Sequence, residues 1–249
     1  MRKLIFPTIA TLIALAILLN LGFWQLNRLA WKEALIDRVK AGVSSPPVSA
    51  PGPTEWMTLS EDDDYRRVEV SGAFQKGFAY YYTALTDPVG AIGGPGLMVY
   101  VPFKSDEGWT VFVNRGFLPQ GLDDNLRAEA LDLPEGEVAL TGLLRLSEKP
   151  NWTTPEPDEN DLIWFARDTA SMAELLGVEA TGLAPYSVDL DAAFTPAAGM
   201  PQAGETIVRF KNDHLGYALT WFGLAATLVG VYLTWAASVL WPRKRRDSA

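Results

Sequence analysis

Histidine is the residue type of this chain best suited to metal or haem chemistry, and the sequence contains one, His214. Because one imidazole supplies one ligand, a multi-histidine metal site within a single chain is excluded. Cysteine is absent, which also excludes thiol catalysis, thiolate metal sites, disulfides and Cys-anchored haem. Acidic residues are numerous, but their spacing selects no carboxylate pair for acid–base catalysis. The residues therefore predict that the protein is not an enzyme.

His214 directly precedes an apolar segment and begins a stripe along it. On a helix of 3.6 residues per turn, it shares one face with Ala218, Trp221, Ala225 and Tyr232. An imidazole at the rim, followed by small and aromatic residues, would suit a flat apolar porphyrin with His214 as axial ligand to iron. The alternative, which the residues alone favour, is an interfacial belt of polar and aromatic side chains.

Two segments of the chain, residues 4–27 and 215–241, contain no charged residue. Since about 20 apolar residues span a bilayer core, both are predicted to be transmembrane helices. A cleaved signal peptide is the alternative for the first, but its apolar run is long and lacks a small-x-small cleavage site. Arg2 and Lys3 before the first segment, and the basic residues 243–246 after the second, predict cytoplasmic termini by the positive-inside rule.

Acidic charge is concentrated between the two apolar segments. The formal net charge of −9 at pH 7 argues against nucleic acid as a partner. Basic termini around an acidic middle favour a central domain outside the cytoplasm. No long Arg/Ser-rich transit peptide precedes the first segment, so we expect a multi-pass protein of a bacterial cell inner membrane with a periplasmic central domain.

The expected fold class is an α+β membrane protein. Two transmembrane helices would flank a β-rich, antiparallel and barrel-like periplasmic domain with one short helix. In chain order, the predicted parts are transmembrane helix 1 (4–27), a stalk and linker (28–53), the periplasmic β-rich domain (54–213), transmembrane helix 2 (215–241) and a basic cytoplasmic tail (242–249).

Alternating apolar residues and turn signals predict the strands of the central domain. They are expected at 65–74, 78–83, 97–104, 109–114, 138–146, 162–167, 186–190 and 206–210. Residues 105–108 have the composition of a hairpin turn. Asp168 is predicted to cap the one short helix, which would run to Leu176 and end at Gly177.

Four loops have alternative interpretations. Residues 90–96 lack phosphate-loop spacing and are predicted to form a mobile surface loop. The acidic run 61–64 favours a solvated loop over a calcium site. Residues 114–116 favour a tight turn at Gly116 with Arg115 paired to a carboxylate, with a partner-binding surface as the alternative. The aromatic and proline-rich residues 152–160 favour an ordinary connector over a partner-binding loop.

Small residues on both apolar segments predict where the helices approach each other. Ala10 and Ala14 have the four-residue spacing of a close helix contact on the first segment, and Ala226 and Gly230 have it on the second.

Six stretches, taken in order with the two apolar segments, carry a resemblance to a known family. They are Gly22-Phe-Trp-Gln-Leu-Asn-Arg28, Tyr65-Arg-Arg-Val-Glu-Val-Ser-Gly72, Val113-Asn-Arg-Gly-Phe-Leu-Pro119, Gly142-Leu-Leu-Arg-Leu-Ser-Glu148, Asn151-Trp-Thr-Thr-Pro155 and Asn212-Asp-His-Leu-Gly-Tyr-Ala-Leu-Thr-Trp-Phe-Gly-Leu-Ala225. Over most of its length the chain resembles the surfeit locus 1 (Shy-type) family of cytochrome c oxidase assembly factors.

The resemblance implies a chaperone of respiratory chain biogenesis that assists delivery of haem a to the large subunit of a haem-copper oxidase. A haem a synthase and membrane lipids are further implied partners. The family's histidine before the second anchor matches His214, and its following tyrosine matches Tyr217. Trp221 would then line the haem site, and Arg28 would pair with a haem propionate. The alternative function is a cofactor-free membrane scaffold that stabilises an oxidase assembly intermediate.

Two positions depart from the family pattern. Phe117 stands where a tryptophan is common, which is a conservative aromatic change. Asp213 stands where an asparagine is common, so a carboxylate lies beside His214 in sequence. This carboxylate would either orient the imidazole or remain in solvent.

Overall fold

The computed structural model describes residues 2–206 and 212–241. In chain order its helices and strands are α1 (Arg2–Ser44), β1 (Val48–Ser49), β2 (Arg67–Phe74), β3 (Ala79–Leu85), β4 (Gly94–Ser105), β5 (Thr110–Pro119), α2 (Asp124–Ala130), β6 (Val138–Leu146), β7 (Ile163–Trp164), α3 (Thr169–Leu176), β8 (Leu183–Leu190) and α4 (His214–Leu240). The chain divides into two compact units, one of residues 1–37 and 209–249, the other of residues 38–208.

The first unit is a pair of helices, α1 and α4, each long and apolar enough to cross a membrane. The 43 residues of α1 correspond to about 65 Å at 1.5 Å per residue, roughly twice a bilayer core. The helix therefore continues through the predicted stalk. The apolar residues pack little within the chain, since none of the most apolar window of α1 is buried. These features fit a membrane protein.

Three contacts show that α1 and α4 run antiparallel. Gln25 hydrogen-bonds His214, and the hydroxyls of Thr8 and Tyr232 hydrogen-bond each other. Between them, the rings of Phe23 and Phe222 meet edge to face at 5.4 Å. Because residue numbers fall along one helix as they rise along the other, Gln25 of α1 lies beside the start of α4, and Thr8 lies beside a later turn of α4.

The second unit contains a closed five-stranded barrel, in the order β2-β6-β8-β5-β4 and back to β2. Four of the five pairings are antiparallel, and β5–β8 is parallel. Strand directions cannot alternate all the way around an odd-numbered ring, so one parallel neighbour pair is unavoidable. The predicted barrel-like domain is confirmed, and its antiparallel character holds except at this seam.

The remaining strands extend the sheet beyond the barrel. β3 pairs antiparallel with β4, and the two-residue β7 lies parallel to β3. β1 lies parallel to β2. The predicted strand 138–146 is observed with those bounds. The predicted hairpin at 105–108 is also confirmed, joining β4 to β5. Of the strand predicted at 206–210, residues 207–210 lie outside the described residues, as does the tail 242–249.

The predicted short helix is confirmed as α3, and its ends follow from its sequence. Asp168 accepts hydrogen bonds from the main-chain N–H groups of Ala170 and Ser171, which caps the N-terminus. Gly177 ends the helix with a left-handed φ of 68°, which glycine adopts without strain. A second short helix, α2, was not predicted, although Asp123 caps it in the same way.

Three apolar clusters lie in the described part of the barrel unit, and two of them are larger than the third. The first fills the barrel with buried side chains that include Val68, Phe103, Val111, Leu144 and Tyr186. The second joins β3, β4 and β5 to β7 and α3 through Tyr100, Phe112, Phe117, Trp164 and Met172. Complete burial of such large side chains is the main favourable term in folding. Phe117 thus belongs to the core.

Residues 90–96 are held by hydrogen bonds to two buried side chains, in contrast to the mobile loop that was predicted. The buried carboxylate of Glu205 accepts hydrogen bonds from the main-chain N–H groups of Val89 and Gly90, at 2.9 and 2.6 Å. The Gln202 amide bonds Ile92 through both its oxygen and its nitrogen. The loop also ends at Gly94, where β4 begins.

The acidic run 61–64 forms a capped turn of 3-10 helix that is tied into ion pairs. Asp62 pairs with Arg38, Asp63 with Arg66 at 3.0 Å, and Asp64 with Arg145 at 3.1 Å. Across the described residues, no group of three or more acidic or histidine side chains is arranged to hold a metal ion. Glu61 and Asp62 are exposed, as predicted for a solvated loop, and the ion pairs add a charge network to it.

Candidate functional site

The imidazole of His214 is held by Gln25. His214 is the first residue of α4, and its Nδ1 lies 2.7 Å from Oε1 of Gln25 on α1. With its oxygen facing the ring, the Gln25 amide accepts a hydrogen bond, and the contact then selects the tautomer that carries its proton on Nδ1. In the neutral ring, Nε2 then holds the free lone pair. This is the arrangement of a metal-ligating histidine whose tautomer is fixed by a second residue.

Gln25 is the residue of this candidate site that sequence reasoning missed. Asp213 was considered as a group that would orient His214, and Gln25 is the residue that the structure shows hydrogen-bonded to Nδ1. The available signal was indirect, because Gln25 lies within the Gly22–Arg28 motif. Its pairing with His214 depends on the register of two helices separated by almost the whole chain, and no local pattern specifies that register.

The stripe proposed for a porphyrin faces α1. Ala218 and Ala225 are 1% and 4% exposed, and they lie on the stripe between His214 and Tyr232, which both contact α1. The small residues thus serve the packing of the two helices. A flat ligand would have access only near the His214 end of this stripe.

The other predicted site residues lie near His214, at the start of α4. Tyr217 is 58% exposed, and Trp221, one turn further along α4, is half-buried. Arg28 follows Gln25 by three residues on α1, which places the two side chains on neighbouring turns. Its guanidinium carbon lies 3.8 Å from the ring centre of Trp31. The structure thus brings His214 together with Gln25 and places Arg28 one turn away, stacked on an aromatic ring.

The predicted small-residue contact between the helices is wrong. Ala10 and Ala226 are exposed, and a Cβ added to Gly230 would meet nothing within 4 Å. The close approach occurs at Gly22 instead, against the ring of Phe222. The four-residue spacing did not identify the interface, because helix register is set by the aromatic and polar contacts along the pair.

The Asn114-Arg115-Gly116 motif supports the barrel. The Asn114 amide donates to Asp189 at 3.1 Å, and its oxygen accepts from the Gly116 N–H at 3.0 Å. Arg115 donates to the main-chain oxygen of Ala130, rather than to the carboxylate that was predicted. Burial lowers the pKa of Arg115. Strand β5 continues through Gly116, so the predicted tight turn is also wrong, and all three residues act structurally.

A second polar group lies inside the barrel unit, around Tyr100. Its ring is fully buried, and its hydroxyl has no hydrogen-bond partner among the described residues. Burial raises the pKa of Tyr100 far above the ordinary value for tyrosine. Asp189 and Arg145 lie nearby, 3.7 Å apart. None of these residues was predicted as a site, and their burial makes a structural role the simplest interpretation.

An antiparallel pair of membrane-length helices, with a histidine hydrogen-bonded at the start of the second and a closed barrel between them in sequence, fits the class of membrane proteins. The sequence model of the SURF1 family matches residues 12–226. This chain belongs to the SURF1 family, which confirms the resemblance to the surfeit locus 1 assembly factors.

Individual relatives cover nearly the same stretch. Surfeit locus protein 1 of Homo sapiens is 35% identical over 238 residues, which cover 90% of this chain and 73% of the relative. The Xenopus tropicalis protein of the same name is 34% identical over 90% of this chain and 71% of its own length. A SURF1-like protein of Drosophila melanogaster is 33% identical over 90% and 73%, respectively.

Proposed function

We propose that this chain is a non-catalytic assembly factor for a haem-copper oxidase, and that it holds haem a through His214 before delivery to the large oxidase subunit. The observation that carries the proposal is the hydrogen bond from Nδ1 of His214 to Gln25. It leaves Nε2 as the nitrogen with a lone pair, which is what an axial ligand requires.

The surroundings of His214 suit a cargo that must leave again. One imidazole, with the exposed Tyr217 and the half-buried Trp221 beside it, offers one metal bond and an apolar contact surface. Arg28 adds a guanidinium that can pair with a propionate carboxylate. A site open to its surroundings, built from one ligand, releases its cargo more readily than an enclosed site with two.

The helix pair also supports the proposed orientation. Because α1 and α4 are antiparallel, Arg2 of α1 and Leu240 of α4 lie at the same end of the pair. Both ends of the chain are basic in sequence, which the positive-inside rule assigns to the cytoplasm. His214 then lies at the opposite, periplasmic end of a bacterial inner membrane.

The test compares haem content between purified proteins. The full chain and His214→Ala would be produced in cells that make haem a, solubilised in the same detergent and examined by absorption spectroscopy. We expect a Soret band in the wild-type protein and its loss in the variant. Trp235→Ala, which alters an exposed aromatic residue near the other end of α4, serves as the control and should retain the band. Equal haem content in wild type and His214→Ala would refute the ligand assignment.

A cofactor-free scaffold is the second candidate, and the burial of Ala218 and Ala225 favours it. If the stripe serves only to pair the helices, His214 is a structural residue of that pair. Oxidase assembly would then proceed normally with His214→Ala and fail when the barrel unit is disrupted. Measuring assembled oxidase in the same cells distinguishes this candidate from haem delivery.

A further inference from the structure

A tryptophan projects from the barrel unit into solvent. Trp152 is 96% exposed, although large aromatic side chains are usually at least partly covered. It lies in residues 148–161, which form most of the connection between β6 and β7 and are called here the Trp152 loop. Its exposure is a property of the barrel unit alone and is independent of the proposed haem site.

The Trp152 loop is ordered by its own hydrogen bonds. Oδ1 of Asn151 accepts from the N–H of Thr153 at 2.9 Å, and Oγ1 of Thr154 accepts from the N–H of Asn151 at 3.0 Å. Further along, Asp158 and Ile163 exchange both of their main-chain hydrogen bonds. A loop held in this way keeps Trp152 exposed without the entropy cost of ordering it on binding.

A groove of about 320 Å³ lies beside Trp152. Its apolar lining consists mainly of Trp152, Pro150, Pro155, Pro157, Trp164 and Phe165. Phe165 remains 38% exposed and contacts the ring of Tyr82, which widens the aromatic surface. Aromatic and proline side chains around a shallow groove suit an extended, proline-containing segment.

The charge around this groove selects the kind of partner. The Trp152 loop contains five acidic residues and one lysine. Glu148 is paired with the buried Arg167, whereas Glu156, Asp158, Glu159 and Asp161 have exposed side chains. Glu156 lines the groove itself, and the groove's aromatic, proline and acidic side chains together suit a positively charged chain and repel anionic lipid headgroups.

We propose that the Trp152 loop and its groove bind an extended, cationic segment of a partner protein, with an apolar or proline side chain of that segment lodged beside Trp152. Trp152 is the anchor, and Glu156 with the other exposed acidic residues of the loop supplies charge complementarity. A loop that served only as a connector would need neither an exposed indole nor an ordered aromatic groove.

Fluorescence anisotropy of a labelled peptide tests the proposal on the full chain in nanodiscs. The probe is a short fluorescein-labelled peptide of repeating Lys-Pro-Leu, and its counterpart has glutamate in place of lysine. We expect saturable binding of the lysine peptide that weakens with added salt. Trp152→Ala should weaken it at least about tenfold, as removal of a central tryptophan anchor does. Glu156→Lys should weaken it as well, whereas the counterpart peptide should not bind.

Met57→Ala is the matched control, because Met57 is an equally isolated apolar residue at 94% exposure. It should bind the lysine peptide as the wild-type protein does. The proposal is overturned if the lysine peptide fails to bind, if Trp152→Ala binds it as tightly as wild type, or if both peptides bind equally.

A lipid partner is distinguished by a second measurement. The chain contains no cysteine, so Trp152→Cys and Met57→Cys each provide one labelling site for an environment-sensitive dye. The proposal expects the same emission for both labels in nanodiscs, and a blue shift at position 152 alone when the lysine peptide is added. A blue shift at position 152 in nanodiscs without peptide would assign the loop to the membrane surface and overturn the proposal.

Discussion

Gly22 of α1 lies directly against the ring of Phe222 on α4. A Cβ at position 22 would approach Cε1 of that ring to 2.7 Å, closer than carbon atoms normally pack. Small residues let membrane helices come together at such points. The absence of a side chain at position 22 therefore sets the spacing of the helix pair and, with it, the distance at which Gln25 meets His214.

Gly22→Val is expected to destabilise the helix pair by about 1–3 kcal/mol, because the added side chain overlaps Phe222. Thermal unfolding in detergent would show this as a lower midpoint. The double variant Gly22→Val with Phe222→Ala should recover part of the loss, since the overlap is removed. Additive effects of the two changes would contradict the contact.

Gln25→Leu is expected to weaken haem binding about 10- to 100-fold, because the imidazole loses the acceptor that fixes its tautomer. Titration with haem a, followed at the Soret band, measures the affinity. Gln25→Glu keeps an acceptor and should bind far better than the leucine variant. Asn27→Ala, at an exposed position on the other side of α1, is the control. A readout without haem is the ¹⁵N spectrum of His214, which should change only when the acceptor is lost.

Gly116→Ala is expected to lower the thermal midpoint by about 6 °C or more. The backbone φ of 125° is strained for alanine, and its Cβ would lie 2.3 Å from the main-chain oxygen of Gln202. Gly108→Ala is the matched control, since its φ of 88° is also unfavourable but open space surrounds it. That variant should lose only about 2–4 °C. Equal losses would mean that strain alone, and not the close approach, makes Gly116 necessary.

Tyr100→Phe is expected to leave stability at neutral pH unchanged or slightly raised, because the hydroxyl is buried and has no hydrogen-bond partner among the described residues. The same change should reduce the sensitivity to alkali. Burial raises the pKa of Tyr100, so the folded state keeps its proton above pH about 10, where the unfolded tyrosine ionises. Ionisation of this tyrosine therefore leaves the free energy of unfolding unchanged below that pH and decreases it as the pH rises further.

Thermal midpoints measured between neutral pH and strongly alkaline pH would show this difference as a shallower decline in Tyr100→Phe. Tyr186 is also buried with a raised pKa, so part of the decline should remain. Tyr82→Phe, at a position that is 38% exposed, controls for loss of a hydroxyl. Identical profiles for Tyr100→Phe and wild type would contradict the prediction.

Local signals predicted those parts of the structure that depend on neighbouring residues. The α3 helix with its Asp168 cap, the hairpin at 105–108 and the strand 138–146 all arise from short-range patterns. The parallel pairing of β5 with β8 does not arise from a short-range pattern, because it depends on how strands that are distant in sequence meet. The tethered loop 90–96 likewise relies on Glu205 and Gln202, which follow it by more than 100 residues.

The candidate site likewise combines features that local sequence predicts with features that depend on distant residues. Composition alone singled out His214, and helical periodicity placed Ala218 and Ala225 on its face. The identity of the Nδ1 partner and the covering of that face by α1 required the register of two helices at opposite ends of the chain. Sequence thus singled out His214, whereas the structure identified its hydrogen-bond partner, Gln25.

The strand pairings of the barrel determine when it can close during synthesis of the chain. Gly72 pairs with Val138, and Gly142 pairs with Leu190, so the ring cannot close until β8 has been made. The partner of α1 is made later still. A nascent or truncated chain therefore presents Gly22 and Phe23 without a companion helix and an open sheet edge at β5. Closure of the barrel and pairing of α1 therefore both depend on the last third of the chain.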